Sequence, residues 1–510
     1  MSMFPRFGMG VAALWLASAM TAWGAGAGSC SDLAKVALPN TTITAAQVVA
    51  AGKFEPPAGA QKGKGPNPFL ELPAFCRVTA TLAPTPDSDI KVEVWLPVEG
   101  WNGKYQAVGN GGWAGVIGYP ALGTAVRRGY AASATDTGHV GATASFVPGH
   151  PEKLNDYAYR SEHEMTVRSK SLIEAFYGNR IKYSYWNGCS TGGKQGLTEA
   201  QRYPDDFDGI IAGAPANYMI HLHVWSVYVA QATHKDDSSA LPAEKLSLLH
   251  NAVLEACDAH DGVKDGIIDD PRKCHFDPEV LACKNGDAKA CLNPSQVKAA
   301  KQIYAAPVNP KTKKEVFPTM EPGSELGWTA LAGPTPASVA TDTFKYWIFN
   351  KPDWNFMTLN LDKDVETADK IDAHRNNAID PNLKPFFSHK GKLLMYHGWS
   401  DQLIAPENSI NYYSSAVKSV GASKAADSMR LFMVPGMAHC RGGEGPDTFD
   451  QVTALEQWVE QGKAPETMVA SRTRAGQVDR TRPLCAYPQV AKYKGSGSTD
   501  DAANFACAVP

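Results

Sequence analysis

Residues 188–192 read Gly188-Cys189-Ser190-Thr191-Gly192, a serine placed between glycines in the G-x-S-x-G pattern. The five residues before this stretch are rich in aromatic side chains, which is typical of a strand, and residues 193–200 are suited to a helix. A strand, a tight turn and a helix form the nucleophile elbow, in which glycines stand where side chains would clash. The sequence therefore predicts that Ser190 lies on such a turn, at the end of a strand.

A histidine followed directly by a cysteine, His439-Cys440, lies far along the chain from this turn. If Cys189 and Cys440 form a disulfide, their Cα atoms lie roughly 5.5–6 Å apart, and the bond holds Ser190 and His439 as neighbours. A serine hydroxyl is a poor nucleophile until a base takes its proton. We therefore predict Ser190 as a nucleophile and His439 as its base. Three other histidines are candidates for the base but lack an adjacent cysteine: His139, His163 and His397.

The acidic partner of the histidine is expected between the two in sequence, because hydrolases of this sheet type run Ser…Asp/Glu…His. An apolar strand at 392–397 ends in a glycine-containing loop, and Asp401 falls just beyond it. There its carboxylate can accept a hydrogen bond from the second nitrogen of His439, which fixes the tautomer and stabilises the imidazolium. The alternatives are that Asp401 only caps a loop, or that Asp447 serves, although Asp447 follows the histidine and fits the chain order poorly.

An oxyanion hole requires two main-chain N–H groups aimed at the developing negative charge. One is expected from Thr191, the residue after the nucleophile. The other is expected from the glycine-rich segment 109–113, which follows an early strand. Gly111 or Gly112 is the favoured donor, and a plain tight turn is the alternative reading of this segment.

Composition limits the partners of the chain. Its 510 residues include 49 basic and 52 acidic side chains, which give a net charge of −3. This balance gives no reason to expect nucleic acid or an anionic membrane as a partner. Beyond the N-terminus, no stretch is apolar for the roughly 20 residues that a membrane helix needs. The sequence indicates no oligomeric state.

The N-terminus reads as a secretory signal peptide. Arg6 gives a basic start, an apolar run follows at 11–21, and Ala25-Gly26-Ala27 is a small-residue cleavage site. We place the cleavage near Ala27 and expect a secreted or periplasmic protein. A lipid anchor on Cys30 is an alternative that the preceding residues fit weakly.

Ten cysteines in an exported chain indicate an oxidising compartment and up to five disulfides. Sequence alone does not fix their connectivity. Proximity and motif logic favour the pairs Cys30–Cys76, Cys189–Cys440, Cys257–Cys274, Cys283–Cys291 and Cys485–Cys507.

Strand-like and helix-like segments alternate over much of the chain. Strands are expected at Ile90–Leu96, Tyr105–Gly109, Ala131–Thr135, Tyr183–Gly188, Gly209–Ala214, Leu393–His397 and Arg430–Val434. The clearest helix is expected at 162–177, with an apolar stripe of Met165, Val167, Leu172, Ile173 and Phe176. This alternation predicts an α/β fold with a mainly parallel sheet and helices on both faces. The alternation of strands and helices stops between about 217 and 385. The simplest interpretation is that this segment is an insertion that covers the active site as a lid.

Within this insertion, residues 257–269 space carboxylates closely and separate them with glycines. Clustered carboxylates repel each other unless a cation lies among them, and Ca²⁺ takes six to eight oxygen ligands. We expect a structural Ca²⁺ held by the carboxylates of Asp258, Asp261 and Asp265 and the main-chain carbonyls of Val263 and Ile267. The spacing is not that of an EF-hand, and a solvated acidic turn is the alternative.

Together these motifs resemble the tannase and feruloyl esterase family. The pattern of that family is a Cys-Ser, Asp, His-Cys triad with a disulfide joining the two cysteines. Residues 188–193, 397–401 and 436–440 match it, as do Thr135-Asp136-Thr137-Gly138-His139 and the acidic loop, which holds calcium in that family. The resemblance implies an α/β-hydrolase fold with a large inserted lid domain and hydrolysis of aromatic carboxylic esters. The expected division is a signal peptide at 1–27, a catalytic domain at 28–216 and 386–510, and a lid domain with the calcium loop at 217–385.

The acyl group stays open between ferulate and other hydroxycinnamates, gallate, and a terephthalate half-ester. Aromatic residues of the insertion are candidates for an acyl slot, although most are expected in its core: Trp328, Phe344, Tyr346, Trp347, Phe349, Trp354 and Phe356. A free carboxylate on the substrate would favour an arginine. No arginine lies between Arg272 and Arg375, which argues weakly against the half-ester.

The leading hypothesis is a secreted serine esterase that acts on small aromatic esters and needs no organic cofactor. A non-catalytic binder of plant phenolics is a second hypothesis, which the intact triad disfavours. A peptidase is a third, and it must protonate a much poorer leaving group. Activity on esters but not on peptides separates them.

Overall fold

The computed structural model describes residues 28–57, 67–113, 115–284 and 289–510. The expected signal peptide at 1–27 lies outside these ranges. No helix within them is both long and apolar enough to cross a lipid bilayer.

Nine strands form one mixed sheet in the order β1-β2-β3-β5-β4-β6-β7-β8-β9. Their bounds are β1 Thr41–Val49, β2 Phe75–Leu82, β3 Ile90–Pro97, β4 Lys104–Val108, β5 Ala131–Thr135, β6 Tyr183–Cys189, β7 Gly209–Gly213, β8 Lys392–Gly398 and β9 Met429–Val434. The first three strands are antiparallel to their neighbours, and every pair from β5 to β9 is parallel. The carboxyl ends of β4, β6, β7, β8 and β9 therefore meet at one edge, where the loops that follow them lie together.

Two further antiparallel pairs, β10–β11 and β12–β13, end the chain. Their bounds are β10 Thr467–Arg474, β11 Gln477–Cys485, β12 Val490–Tyr493 and β13 Phe505–Ala508.

Helices cover both faces of the main sheet. Their bounds are α1 Tyr119–Arg127, α2 Pro151–Asn155, α3 Ser161–Tyr177, α4 Thr191–Arg202, α5 Met219–Ala232, α6 Ala243–Cys257, α7 Pro294–Ile303, α8 Thr329–Ala332, α9 Ser338–Asp342, α10 Lys363–Asp372, α11 Lys384–Ser388, α12 Glu407–Val420, α13 Ala422–Ser428 and α14 Gln451–Gln461. One core lies between the sheet and α3, α4 and α12, and it includes Leu172 and Leu197. A second core lies under α1 and α14 and includes Leu122 and Trp458. The predicted α/β fold is confirmed.

All seven strands expected from sequence are present, within a residue at most of their ends. The edge strand β1 and its neighbour β2 were not predicted. The prediction of an apolar stripe on α3 is partly wrong, because Val167 is only half-buried while Glu162 and Ser169 are fully buried. This helix therefore packs polar as well as apolar side chains against the sheet.

The chain leaves the sheet after β7 and returns at β8, and these two strands are parallel neighbours. Between them, the described parts of 217–385 contain helices α5 to α10 and no strand of the main sheet. This inserted segment has its own apolar core, which includes Trp225 and Trp328. The same core takes in Trp113 and Ile404 from loops of the sheet edge, so the insertion packs directly over that edge.

Five disulfides join the ten cysteines in the five pairs favoured from sequence: Cys30–Cys76, Cys189–Cys440, Cys257–Cys274, Cys283–Cys291 and Cys485–Cys507.

Candidate active site

Ser190 stands on a turn between the end of β6 and the start of α4. Its backbone has φ 65° and ψ −126°, a conformation that residues other than glycine rarely adopt. A Cβ at Gly188 would lie 2.3 Å from the carbonyl oxygen of Gly192, so only glycine permits this close approach of strand and helix. The geometry is that of a nucleophile elbow.

Main-chain hydrogen bonds hold the strained serine in place. Its N–H donates to the carbonyl of Gly213 at 3.0 Å, and its own carbonyl accepts from the N–H of Ala216 at 3.1 Å. Both partners lie in β7 or just after it, so the neighbouring strand fixes the turn. Strain at such a position persists only where the surroundings impose it.

The disulfide Cys189–Cys440 ties this turn to the loop after β9. The two Cα atoms are 6.0 Å apart. Because each cysteine is next in sequence to a predicted triad residue, the bond brings Ser190 and His439 to the same edge of the sheet. Both residues are partly accessible to solvent.

His439 and Asp401 are in direct contact. Nδ1 of the histidine donates to Oδ2 of the carboxylate at 2.7 Å. The carboxylate is fully buried, and its Oδ1 accepts the N–H groups of Leu403 and Ile404 at 2.8 and 2.9 Å. The structure therefore fixes the acid on both oxygens and leaves Nε2 of the histidine for a second partner.

A second histidine also contacts Asp401. Nε2 of His397 lies 3.1 Å from Oδ2 of Asp401 and 3.1 Å from the carbonyl oxygen of Ile404. Because both neighbours are acceptors, this nitrogen carries the proton, and Nδ1 accepts the hydroxyl of Ser409 at 2.7 Å. His397 was a rival for the base in sequence, and the structure instead places it behind the acid.

These contacts set the ionisation of the pair. Burial raises the pKa of Asp401, but the charge of His439 and the hydrogen bonds from both histidines outweigh it, and the pKa ends well below its usual range. Burial lowers the pKa of His439, but the Asp401 charge and hydrogen bond outweigh it, so the net shift is upward. Asp401 is thus a carboxylate at neutral pH and favours a protonated His439.

The predicted oxyanion residues come from two segments that contact each other, the start of α4 and the glycine-rich loop. Thr191 is the first residue of α4, so its N–H has no acceptor within the helix. The carbonyl of Gly112 accepts the hydroxyls of Tyr157 at 2.8 Å and Thr191 at 3.2 Å. The glycine-rich loop is therefore bound to α4, and Gly111 lies beside this contact in sequence.

Side chains outside the predicted set hold the same loop. The amide of Gln195 on α4 donates to Oδ1 of Asn110 at 2.9 Å. Nε2 of His139 donates to the carbonyl of Trp113 at 2.6 Å, and its ring stacks on Phe146 at 3.9 Å. His139, in the motif at 135–139, thus holds the glycine-rich loop in place and does not serve as the base.

The acidic loop turns its carboxylates toward its own backbone. Asp258 is buried and accepts the N–H groups of Asp265 and Gly266 at 3.2 and 2.9 Å. Asp261 accepts the N–H of Val263 at 2.9 Å. Asp265 forms an ion pair with Arg482.

Two features of this loop suit a hard cation. The side chains of Val263 and Ile267 are buried, and within the described residues no hydrogen-bond donor reaches their main-chain oxygens. Asp269 is also buried, and its burial, together with the charge of Asp261, raises its pKa to about 7. The donor set is all oxygen, as Ca²⁺ prefers.

Most aromatic residues of the insertion lie in its core, as expected. Trp328 and Phe344 are fully buried. Tyr346, Phe349, Trp354 and Phe356 pack against that core at its margin. Trp347 differs, because its ring meets Trp113 edge to face at 6.3 Å, next to the glycine-rich loop.

The sequence matches the family described as "Tannase and feruloyl esterase" over residues 76–508. The chain belongs to the tannase and feruloyl esterase family. It is 38% identical to an uncharacterized esterase of Xanthomonas campestris pv. campestris, over 94% of this chain and 91% of that protein. It is 34% identical to a probable feruloyl esterase B-2 of Aspergillus terreus, over 93% of this chain and 94% of that protein.

The fold agrees with this assignment. The crystal structure of feruloyl esterase B from Aspergillus oryzae matches with a TM-score of 0.88 and 31% identity, over 94% of this chain and 99% of that chain. Membership of the tannase and feruloyl esterase family makes the protein a carboxylic ester hydrolase with an α/β-hydrolase fold.

Proposed function

We propose that this family member hydrolyses aromatic carboxylic esters of the feruloyl type through an acyl-enzyme on Ser190. One observation carries the proposal: the strained elbow serine is tied by Cys189–Cys440 to a histidine that contacts the buried Asp401. The similarity to proteins named feruloyl esterase supports the choice of acyl group.

In the first half-reaction, Ser190 Oγ attacks the ester carbonyl while Nε2 of His439 takes the hydroxyl proton. The N–H of Thr191 and that of Gly111 or Gly112 stabilise the oxyanion. His439 then returns the proton to the leaving alcohol, and the acyl group stays on Ser190. The raised pKa of His439 suits it to hold this proton during attack.

In the second half-reaction, water attacks the acyl-enzyme with His439 as base, and the carboxylic acid leaves. Asp401 keeps Nδ1 of His439 protonated throughout, so Nε2 is always the nitrogen that exchanges protons. His397 holds Asp401 from behind. No step needs an organic cofactor.

The inserted segment is proposed to act as a lid that shapes the acyl pocket. Its packing around Trp113 supports this role, since Trp113 borders the glycine-rich loop. Trp347 is the lid aromatic proposed to contact an aromatic acyl group, and its contact with Trp113 supports this choice. Galloyl esters and terephthalate half-esters are the alternative substrates. The described parts of 273–374 contain no arginine for a free carboxylate, which favours ferulate over the half-ester.

The acidic loop is proposed to hold one structural Ca²⁺ through Asp258, Asp261 and Asp265 and the carbonyls of Val263 and Ile267. The open main-chain oxygens of Val263 and Ile267 and the buried carboxylate of Asp258 support this set. The ion would lock the loop beside the hairpin that carries Arg482, which already pairs with Asp265.

The mature protein is proposed to work outside the cytoplasm, either in the periplasm or secreted. Five disulfides support an oxidising compartment. The signal-peptide pattern at 1–27 supplies the export route.

The test is product release from methyl ferulate, methyl gallate and mono(2-hydroxyethyl) terephthalate, by wild type and Ser190→Ala made in an oxidising compartment with calcium present. We expect methyl ferulate to give the highest kcat/KM and Ser190→Ala to release no product above background. A peptide substrate is the control for the peptidase alternative. Folded, disulfide-bonded wild type that hydrolyses none of the esters would instead support a non-catalytic binder.

A further inference from the structure

A second cluster of potential ligands lies away from the active site, on the far part of α4. His163 comes from α3, Glu199 from α4, and Asp206 from the loop between α4 and β7. Among the described residues, these three side chains form one set in which each places a ligand atom within 4.8 Å of the others. Two carboxylates and an imidazole in that arrangement match the ligands of a divalent metal ion.

Glu199 brings to this cluster a carboxyl group without a hydrogen-bond donor. The residue is completely buried, and neither of its carboxylate oxygens has a hydrogen-bond partner among the described residues. Asp206 is 8% exposed, and its Oδ2 contacts Nδ1 of His163 at 2.6 Å. A buried carboxylate without a donor is costly, so the site requires either a proton or a cation.

The cationic side chains nearby are bonded elsewhere. Lys170 donates to the main-chain carbonyl of Asp206 rather than to a carboxylate. Lys194 is fully buried and donates to the carbonyl of Ala158 at 2.6 Å. Arg202 donates to the carbonyl of His374 at 2.8 Å.

A further acid adds negative charge from the same side. Glu162 on α3 is fully buried, and its Oε1 has no partner in the described chain. Burial, the Asp206 charge and the Glu162 charge together raise the pKa of Glu199 well above its usual range, and Lys170 opposes this only in part. A cation placed among these acids would offset their negative charge.

We propose that His163, Glu199 and Asp206 bind a first-row divalent transition-metal ion, for which Zn²⁺ is the probe. An imidazole ligand favours these metals over Ca²⁺ and Mg²⁺, which prefer all-oxygen sites. Ligand atoms around one tetrahedral zinc lie roughly 3.4 Å apart at bond lengths of about 2.0–2.2 Å. The three ligand atoms, now within 4.8 Å of one another, would move to this spacing, and the metal would replace the hydrogen bond between His163 and Asp206.

The surroundings give the ion an entry route and an oriented ligand. The His163 side chain is 30% exposed, so the site opens to solvent on that side. Its ring stacks on Tyr203 with centroids 3.9 Å apart and planes at 8°, which fixes its direction. Three protein ligands leave a fourth position for water.

The ion is structural rather than catalytic. Glu199 lies about 13 Å along α4 from Ser190, too far to touch the reacting ester. The metal ion would join α3, α4 and the segment that leads into β7, and these elements support the elbow. Metal binding should therefore raise thermal stability and leave the ester chemistry unchanged.

The experiment is titration of Zn²⁺ into the full mature protein by calorimetry, with millimolar calcium present to saturate the acidic loop, followed by elemental analysis after dialysis. Wild type should retain one zinc per chain. His163→Ala and Glu199→Gln should each weaken zinc binding by more than about 100-fold, since even outer partners of metal ligands change affinity about 10- to 100-fold. His389→Ala is the matched control, because this exposed histidine pairs with the single carboxylate of Asp205 at 2.8 Å.

Ester hydrolysis by each variant reports that it is folded, and Co²⁺ in place of Zn²⁺ gives a visible d–d absorption that requires ligation. A cobalt spectrum present in wild type and His389→Ala but absent in Glu199→Gln supports the site. The proposal is overturned if wild type binds no zinc. Equal zinc affinity in wild type and the two ligand variants would overturn it as well.

Discussion

His397 contacts the same oxygen of Asp401 that His439 contacts, at 3.1 Å against 2.7 Å. The acid thus lies between two histidines, of which His439 is partly exposed to solvent and His397 is fully buried. Only His439 adjoins the elbow through the disulfide, so the other histidine is a positioning residue.

Replacing His397 tests that role. We expect His397→Leu to lower kcat at least tenfold with little change in KM, because Asp401 loses a donor and moves relative to His439. The acid limb of the pH–rate profile should shift upward, since the unsatisfied carboxylate attracts the proton of His439 more strongly. His389→Leu, at an exposed site, is the control. An unchanged pH profile in His397→Leu would mean that His397 serves packing alone.

The pH dependence of the wild type follows from the His439–Asp401 pair. His439 acts as a base only when neutral, so kcat/KM falls as the pH drops through its pKa. Because the Asp401 charge raises that pKa above 6.5, the midpoint of the acid limb should lie above pH 6.5. Asp401→Asn removes the charge but leaves the burial, so the midpoint should fall below pH 6.5 and kcat should drop about 10⁴-fold. A wild-type midpoint below pH 6.5 would contradict this electrostatic account.

The disulfide Cys189–Cys440 should affect catalysis as well as stability. We expect Cys189→Ala/Cys440→Ala to lower the free energy of unfolding by about 2–4 kcal/mol and to reduce kcat/KM strongly, because Ser190 and His439 are no longer held together. Cys283→Ala/Cys291→Ala removes a bond within the inserted segment that spans only 8 residues of sequence and adjoins neither Ser190 nor His439 in the chain. That control should keep full kcat/KM. Denaturant unfolding and steady-state kinetics on both variants measure the two effects.

Calcium should stabilise the protein without taking part in the reaction. At 100 times its Kd, the ion adds about 2.7 kcal/mol to the free energy of unfolding. A calcium-selective chelator should therefore lower Tm by a few degrees, and Asp261→Asn should abolish the response. Glu199→Gln should keep it, since Glu199 belongs to the other cluster. If neither chelation nor Asp261→Asn changes Tm, the proposed calcium site is contradicted.

The central strands could be predicted from sequence because they are buried on both faces. The residues of β7 and β8 form short apolar runs next to glycines, and their bounds were predicted closely. Strand β1 lies at the sheet edge and is only half-buried, so Thr41–Val49 has no strong pattern. A strand shows a strong apolar pattern only where it is buried, and burial depends on its position in the sheet.

The triad residues could be predicted because each carries a local motif: an elbow, an Asp after a strand and a His-Cys pair. The role of His397 could not be predicted, because it depends on Asp401 turning back toward β8, the strand that carries His397. The metal cluster was also missed, because His163, Glu199 and Asp206 are brought together only when α3 packs against α4.

Intact-mass measurement of the protein a few milliseconds after mixing with methyl ferulate tests directly whether Ser190 forms an acyl-enzyme. We predict that wild type gains the mass of one feruloyl group, that peptide mapping places it on Ser190, and that Ser190→Ala gains none. Steady release of ferulate with no covalent adduct on Ser190, or an adduct on another residue, would contradict the proposed mechanism.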